Sequence, residues 1–308
     1  MGRAERVVAI GGGHGLSRTL EALRLMEVHT TAVVTVADDG GSSGRLRRER
    51  GIIALGDMRM GLLALAPAGP LQEVFGHRFN GGGLDGHSLG NLALVAMIEQ
   101  AGGDVLVAMD RAARLLDCRG RVWPCTTDDV TLVAAIDGTE VEGQVAVATT
   151  EGRDRRVWLE PAEPTACPLA MEAIDEADLV VLGPGSLFTS IIPNLLVPGI
   201  AEALDDTDAR LVYAANLTAQ AGETAGMSAR DHVDALLDYL PERTSIEVLC
   251  HAGPGPDGSG PALPPDVAGR GVRAIHHADL AEGDGDHRVG AHDPVRLAAA
   301  IGRLLDHP

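Results

Sequence analysis

Val7-Val8-Ala9-Ile10 runs straight into Gly11-Gly12-Gly13-His14-Gly15, and residues 16–26 place Leu16, Leu20, Leu23 and the Leu25-Met26 pair near one helical face. A second apolar run, residues 31–37, ends in Asp38-Asp39-Gly40-Gly41-Ser42-Ser43-Gly44-Arg45. The order is strand, glycine turn, helix, strand, acidic loop, which is the first half of a nucleotide-binding α/β unit. Glycines after a strand let the backbone approach a ligand with no Cβ in the way. The helix that follows offers unpaired N–H groups and the positive end of its dipole to a phosphate. An acid some 20 residues on would bind a ribose hydroxyl. Asp38 stands later than that, and G-G-G-x-G is not G-x-G-x-x-G. The glycines alone therefore fit either a phosphate cradle or a plain tight turn.

Working outward, the chain of 308 residues is long enough to bury a large core. With 2% aromatic residues, that core must be built from Ala, Val, Leu and Ile. A net charge of −19 argues against a nucleic-acid partner, because such affinity comes largely from cations on phosphates. The sequence contains no lysine, which removes lysine Schiff bases, lysine nucleophiles and the P-loop lysine. Cys118, Cys125, Cys167 and Cys250 show no C-x-x-C spacing, so free and mostly buried thiols are expected. No signal peptide or long apolar span is evident, and the expectation is a cytoplasmic protein without membrane insertion.

Helices are expected at 60–66, 92–99, 104–116, 171–176, 199–204, 229–239 and 294–305, with an amphipathic stretch at 72–80 and a loop at Gly81-Gly82-Gly83. Strands are expected at 179–182, 211–214 and 245–249. Residues 121–124, 131–136, 144–148 and 155–159 are short and rich in β-branched residues, and read as an antiparallel β insert at about 119–165. The whole is a single α/β domain over 1–308, a doubly wound, mostly parallel sheet with that small β-rich insert. Residues 253–266, rich in Gly and Pro, read as a loop.

Four polar loops follow apolar strands or open helices: 11–15, 38–45, 183–190 and 216–224. If the strands are parallel, all four meet beyond their carboxyl ends. Gly11, Gly12, Gly13, His14, Gly15 and Leu16 supply the first cradle. Gly183, Gly185, Ser186 and Thr189 supply the best second phosphate site, the other reading being a capped strand-to-helix turn. Arg45 and Arg59 are the candidate phosphate cations, since guanidinium pairs bidentately. Asp38, Asp39 and Asp57 fit ribose, turn caps or a magnesium ion, the last being the weaker use. Gly41, Ser42, Ser43 and Asn91 complete the candidate ligand set, with Asn216, Gln220, Glu223 and Thr224 from the fourth loop; Asn91, at a helix start, fits a cap equally. His276, His277, His287 and His292 match no metal motif and read as part of a solvated loop.

Taken together, 10–16 (IGGGHGL), 34–46 (VTVADDGGSSGRL), 87–92 (HSLGNL), 183–199 (GPGSLFTSIIPNLLVPG) and 216–233 resemble the gluconeogenesis factor (YvcK-like) family, relatives of 2-phospho-L-lactate transferase (CofD-like). The resemblance spans nearly the whole chain. It implies a Rossmann-like fold, a cytoplasmic location, and a nucleotide or nucleotide-sugar ligand, UDP-N-acetylglucosamine or NAD-like. It also implies a role in cell morphogenesis under gluconeogenic growth, with no firmly assigned reaction. The alternative it carries is a magnesium-dependent transferase of a phosphorylated substrate. A small-molecule nucleotide is the implied partner, and a homodimer is left open. The chain departs from the family pattern at His14 and Met60, where threonine and asparagine are usual. It departs again at Ala291-His292-Asp293-Pro294, where Arg-His-Asp-Thr is common. The arginine is implied in UDP-sugar binding, leaving Arg288 as its nearest substitute, and Pro294 removes a phosphorylatable threonine.

Overall fold

A computed structural model describes residues 5–252, 271–283 and 289–306. The expected loop at 253–266, His287 and Arg288 lie outside the described residues. The chain begins β1 (Arg6–Gly11), α1 (Gly13–Arg24), β2 (His29–Val34), α2 (Gly41–Arg50), α3 (Gly56–Leu65), α4 (Pro70–Gly76), α5 (Leu89–Gln100), α6 (Val105–Leu115) and β3 (Arg121–Pro124). An excursion follows: β4 (Thr131–Ile136), β5 (Thr139–Glu142), α7 (Gln144–Thr149) and β6 (Arg155–Glu160). Then come α8 (Pro168–Asp175), β7 (Leu179–Leu182), a π-helical turn (Leu187–Ile191) leading into α9 (Ile192–Leu195), α10 (Pro198–Asp206) and β8 (Arg210–Ala214). The chain closes with α11 (Ala229–Leu237), β9 (Ile246–His251), β10 (Val272–Ala278), β11 (Ala281–Glu282), β12 (Val289–His292) and α12 (Pro294–Asp306).

Seven strands form one sheet in the order β10-β9-β8-β7-β1-β2-β3, and every neighbouring pair is parallel. Strands covered by helices on both faces read as unbroken apolar runs, and β7 and β9 are buried along their whole length. The chain steps from β1 to β2 and β3, then returns to lay β7 on the other side of β1. The order reverses between β1 and β7, and a crevice opens at such a reversal, at the carboxyl ends of the strands. The core is aliphatic as composition required: Ile10, Leu16, Leu20, Leu23, Leu62 and Leu182 are all sealed.

The structure corrects the insert. Residues 121–124 form β3, an edge strand of the main sheet paired parallel to β2. Residues 144–148 form the helix α7, not a strand. The antiparallel insert is β5-β4-β6 with α7 packed on β4. Likewise, 41–45 is not loop but the first turns of α2, and Asp57 and Arg59 lie within α3. The hairpin β11–β12 and the outer strand β10 have no counterpart in the sequence reading. The four cysteines are free, three of them buried. Among the described residues no single helix is long and apolar enough to cross a membrane.

Candidate functional site

The turns after β1 and β7 are neighbours. Gly183 N–H donates to the Ile10 carbonyl at 2.8 Å, and Thr19 Oγ1 of α1 donates to the Gly183 carbonyl at 2.9 Å. A Cβ at Gly15 would overlap the Pro184 carbonyl oxygen and lie 2.7 Å from Gly185 Cα. Only glycine lets the first turn of α1 lie this close to the second loop. The N-cap of α1 is Gly12, without a side-chain cap and with no acid in the first turn. This helix end therefore presents backbone donors and positive dipole to the crevice.

The crevice has a volume of about 750 Å³. Gly12, Gly13, His14 and Gly15 line it beside Pro184, Gly185 and Ser186, with Asp38, Asp57, Asn216 and Gln220 around them. Asn216 brackets Gly185, accepting from its N–H at 3.0 Å and donating to its carbonyl at 2.8 Å. Gln220 Nε2 donates to Ser186 Oγ at 3.1 Å. All four loops named from the sequence thus reach one place, although not every residue in them does.

Glu223, Thr189 and Thr224 are buried and face inward. Thr189 Oγ1 donates to Glu223 at 2.5 Å, and the same carboxylate accepts from Phe188 N at 3.3 Å, which seals the start of the π-helical turn. Burial pushes the Glu223 carboxyl above its ordinary range, against the opposing pull of Thr189, the local amides and Arg155. Thr224 Oγ1 accepts from Gln220 N at 2.9 Å. These three residues hold the loops and do not line the crevice. Asp39 is also committed elsewhere, accepting from Val145 N at 3.0 Å at the start of α7. Asp38 accepts from Gly40 N at 2.9 Å.

Asp57 lies against Gly12, where a Cβ would overlap its carboxylate. Burial raises its pKa from 3.8 to about 7, with the Asp38 charge adding to the rise and the Gly13 amide and Arg59 opposing it. The side chain still meets the crevice floor, so a proton can be exchanged there near neutral pH. Ser42, Ser43, Arg45 and Asn91 do not line the crevice; Ser42 bonds His87 and Asn91, and Arg45 donates to the Asp85 carbonyl. Asn91 is not a helix cap: Ser88 caps α5, and Asn91 accepts from Arg59 Nε at 3.0 Å and donates to Ser42 Oγ at 3.2 Å.

Several lining residues escaped the sequence reading: Ser17, Arg18 and Glu21 from α1, Gln144 from the insert, Thr218, and Gly290 from β12; Ala291 and His292 also line it, in the stretch that the family resemblance had marked. Ser17, Arg18 and Glu21 follow from the first turn of α1 once its start is known. Gln144 and Gly290 arrive from distant segments, and no local pattern marks them. Ala291, which stands where the family's arginine is common, lines the crevice directly. His292 is buried, its Nε2 has no partner among the described residues, and burial lowers its pKa to about 4.

Three carboxylates offered from sequence for magnesium do not form a metal cluster. Among the described residues no group of three or more His, Cys, Asp or Glu is placed to hold an ion. A second cavity of about 720 Å³ opens at the amino-terminal edge of the sheet, around Arg24, His29, Arg119 and Arg121. It lacks the glycine turns and the helix N-terminus of the crevice.

The model of the family described as 2-phospho-L-lactate transferase CofD matches residues 7–258. A relative from Mycobacterium tuberculosis is 44% identical over 310 residues, covering 96% of this chain and 89% of its own. A protein named gluconeogenesis factor from Bacillus subtilis is 45% identical over 78% of this chain and 76% of its own. A solved structure from Bacillus halodurans, a member of the UPF0052 family, superposes with a TM-score of 0.88 at 37% identity, covering 98% of this chain and 99% of that one. The chain belongs to this CofD family, among its gluconeogenesis factors.

Proposed function

We propose that this chain binds a nucleotide sugar of the UDP-N-acetylglucosamine type and acts by that binding as a cytoplasmic regulator of carbon use and cell shape. The observation that carries the reading is the start of α1 at the β1/β7 reversal, where the N-cap Gly12 supplies no side-chain cap, facing Gly183-Pro184-Gly185-Ser186 across the crevice. A diphosphate fits between two glycine turns and the positive end of a helix. The Asn216 bracket holds the second turn in place. Among the described residues, no nucleophile paired with an activating base lines the crevice, which favours binding over catalysis. Calorimetric titration with UDP-N-acetylglucosamine and, separately, with NAD tests the proposal. Saturable heat with the sugar nucleotide supports it; no saturable heat with either overturns it.

A second reading is a transferase acting on a phosphorylated substrate, as the description of the family model suggests. Asp57 favours it, because a carboxyl titrating near 7 can accept or release a proton beside the cradle. A resident magnesium ion fits this chain poorly, because Asp39 is committed to the Val145 amide and burial opposes the ionisation of Asp57. Equal magnesium dependence of nucleotide binding in the native chain and in Asp57→Asn would remove Asp57 as a metal ligand.

A further inference from the structure

Arg59 is a buried cation, 8% exposed, with no carboxylate within salt-bridge distance among the described residues. Its one hydrogen bond there runs from Nε to Asn91 Oδ1, and neither Nη atom has a protein acceptor. Burial and the charge of Arg78 both act to lower its pKa, opposed by Asp57 and Asp38. Arg78 donates to the Gly86 carbonyl at 2.6 Å, and Arg45 donates to the adjacent Asp85 carbonyl. Neither of those arginines has a carboxylate partner among the described residues. Three helices also begin here: α2 with Ser42 in its first turn, α3 with Arg59 one turn in, and α5 with Asn91 in its first turn. His87 Nδ1 lies 3.0 Å from Ser42 Oγ and completes the polar wall. In a chain of net charge −19, the buried Arg59 guanidinium feels Asp57 and Asp38 only through space and makes no ion pair among the described residues, while Arg45 and Arg78 meet at Asp85-Gly86 beside it. Desolvating a charge without a partner is unfavourable, and an anion from solution is what relieves it here.

We infer that Arg59, with Arg78 and Arg45, forms a second oxyanion pocket that holds a phosphoryl group from a co-ligand distinct from the nucleotide diphosphate. Arg59 is coupled through space to Asp57 and Asp38, but none of the three arginines lines the crevice. Guanidinium pairs with phosphate bidentately and accepts no proton from it, so two free Nη atoms are a suitable end-on seat. The inference does not depend on the nucleotide-sugar reading. It requires only that the pocket bind phosphate, whether or not UDP-N-acetylglucosamine binds in the crevice.

Inorganic phosphate is the probe, titrated against the whole chain at constant ionic strength with chloride as the control salt. Binding is read by calorimetry and by thermal shift, with and without saturating UDP-N-acetylglucosamine. The expected result is saturable phosphate binding that persists with nucleotide present. Arg59→Gln should weaken it by about tenfold and Arg78→Ala by about threefold. Arg78 is exposed and touches no crevice residue, so Arg78→Ala should fold normally and leave nucleotide affinity unchanged; it carries the test should Arg59→Gln fail to fold. Phosphate affinity identical in the native chain and in Arg78→Ala overturns the inference. So does phosphate binding that vanishes when nucleotide saturates the crevice, since the phosphate would then have occupied the diphosphate cradle.

Discussion

Replacing Asp57 with asparagine separates its charge from its shape. Asparagine keeps an oxygen for the Gly13 amide and removes the ionisation that burial opposes. In the folded chain the Asp57 pKa is raised from 3.8 to about 7, burial being the main cause and the Asp38 charge the second. For a carboxyl raised on folding, the stability contribution is complete below the unfolded pKa and is lost as pH rises through the folded one. A shift of three units corresponds to about 4 kcal/mol in all. About 1.5 kcal/mol of this is already lost by pH 5, and about 2.5 kcal/mol more is lost between pH 5 and pH 8. Asp57 meets the open crevice, and solvent that halves the shift would leave about 1 kcal/mol in that window.

His292 works in the opposite direction. Burial lowers its pKa to about 4, so its contribution is present above the unfolded value and lost as pH falls toward 4. The raw pH profile of the native chain therefore mixes two opposed slopes. Urea unfolding of the native chain and of Asp57→Asn, measured in parallel at pH 5, 6, 7 and 8, isolates the Asp57 part by subtraction. The variant should gain on the native chain by about 1–2.5 kcal/mol from pH 5 to pH 8. A difference that stays constant across that range refutes the buried-carboxyl argument. The same ionisation places negative charge beside the cradle, so affinity for a diphosphate should fall from pH 6 to pH 8 in the native chain and stay flat in the variant.

Gly15→Ala drives a Cβ into the Pro184 carbonyl; it should cost about 1–3 kcal/mol by overpacking and abolish nucleotide binding, read by thermal melting and calorimetry. Asn216→Ala removes both bonds to Gly185, and should weaken nucleotide binding by about tenfold while costing about 1–3 kcal/mol of stability. Arg155 donates to the carbonyls of Val147, Thr150 and Gly222 at 2.6–2.7 Å, with its guanidinium 5.5 Å from the Phe188 ring centroid. Arg155→Met should cost about 3 kcal/mol and speed proteolytic cleavage within residues 216–224, because the insert no longer holds that loop.

The meeting of the four loops was legible because it follows from short-range chemistry and one topological rule. Val7-Val8-Ala9-Ile10 and Leu179-Val180-Val181-Leu182 are apolar throughout, which marks central parallel strands, and each ends in glycine. Strands laid parallel must deliver their following loops to the same edge. Nothing more was needed to bring Gly12 to Gly185. Residues within those loops were harder to assign, because residue type does not specify partner. Ser186 lines the crevice while Thr189, three positions later, is turned into the core to meet Glu223. A turn of tighter or looser winding would exchange them, and the π-helical winding at Leu187–Ile191 is not written in its composition.

The misreading of 144–148 shows where local pattern stops deciding. Gln144-Val145-Ala146-Val147-Ala148 alternates with β-branched residues at every second place, the ordinary signature of a strand. It is a helix because Asp39, 106 positions earlier, accepts the Val145 amide and supplies the start that the segment itself lacks. Gly143, with φ of +96°, then admits that carboxylate where a Cβ would collide with it. The same contact withdraws Asp39 from the ligand set, brings Gln144 to the crevice wall, and ties the insert to the acidic turn after β2. One long-range hydrogen bond thus accounts for an error of secondary structure, the turning of Asp39 toward the insert and an unforeseen lining residue. Losing the Asp39 carboxylate should therefore disturb the insert and the crevice together, although the two are far apart in sequence.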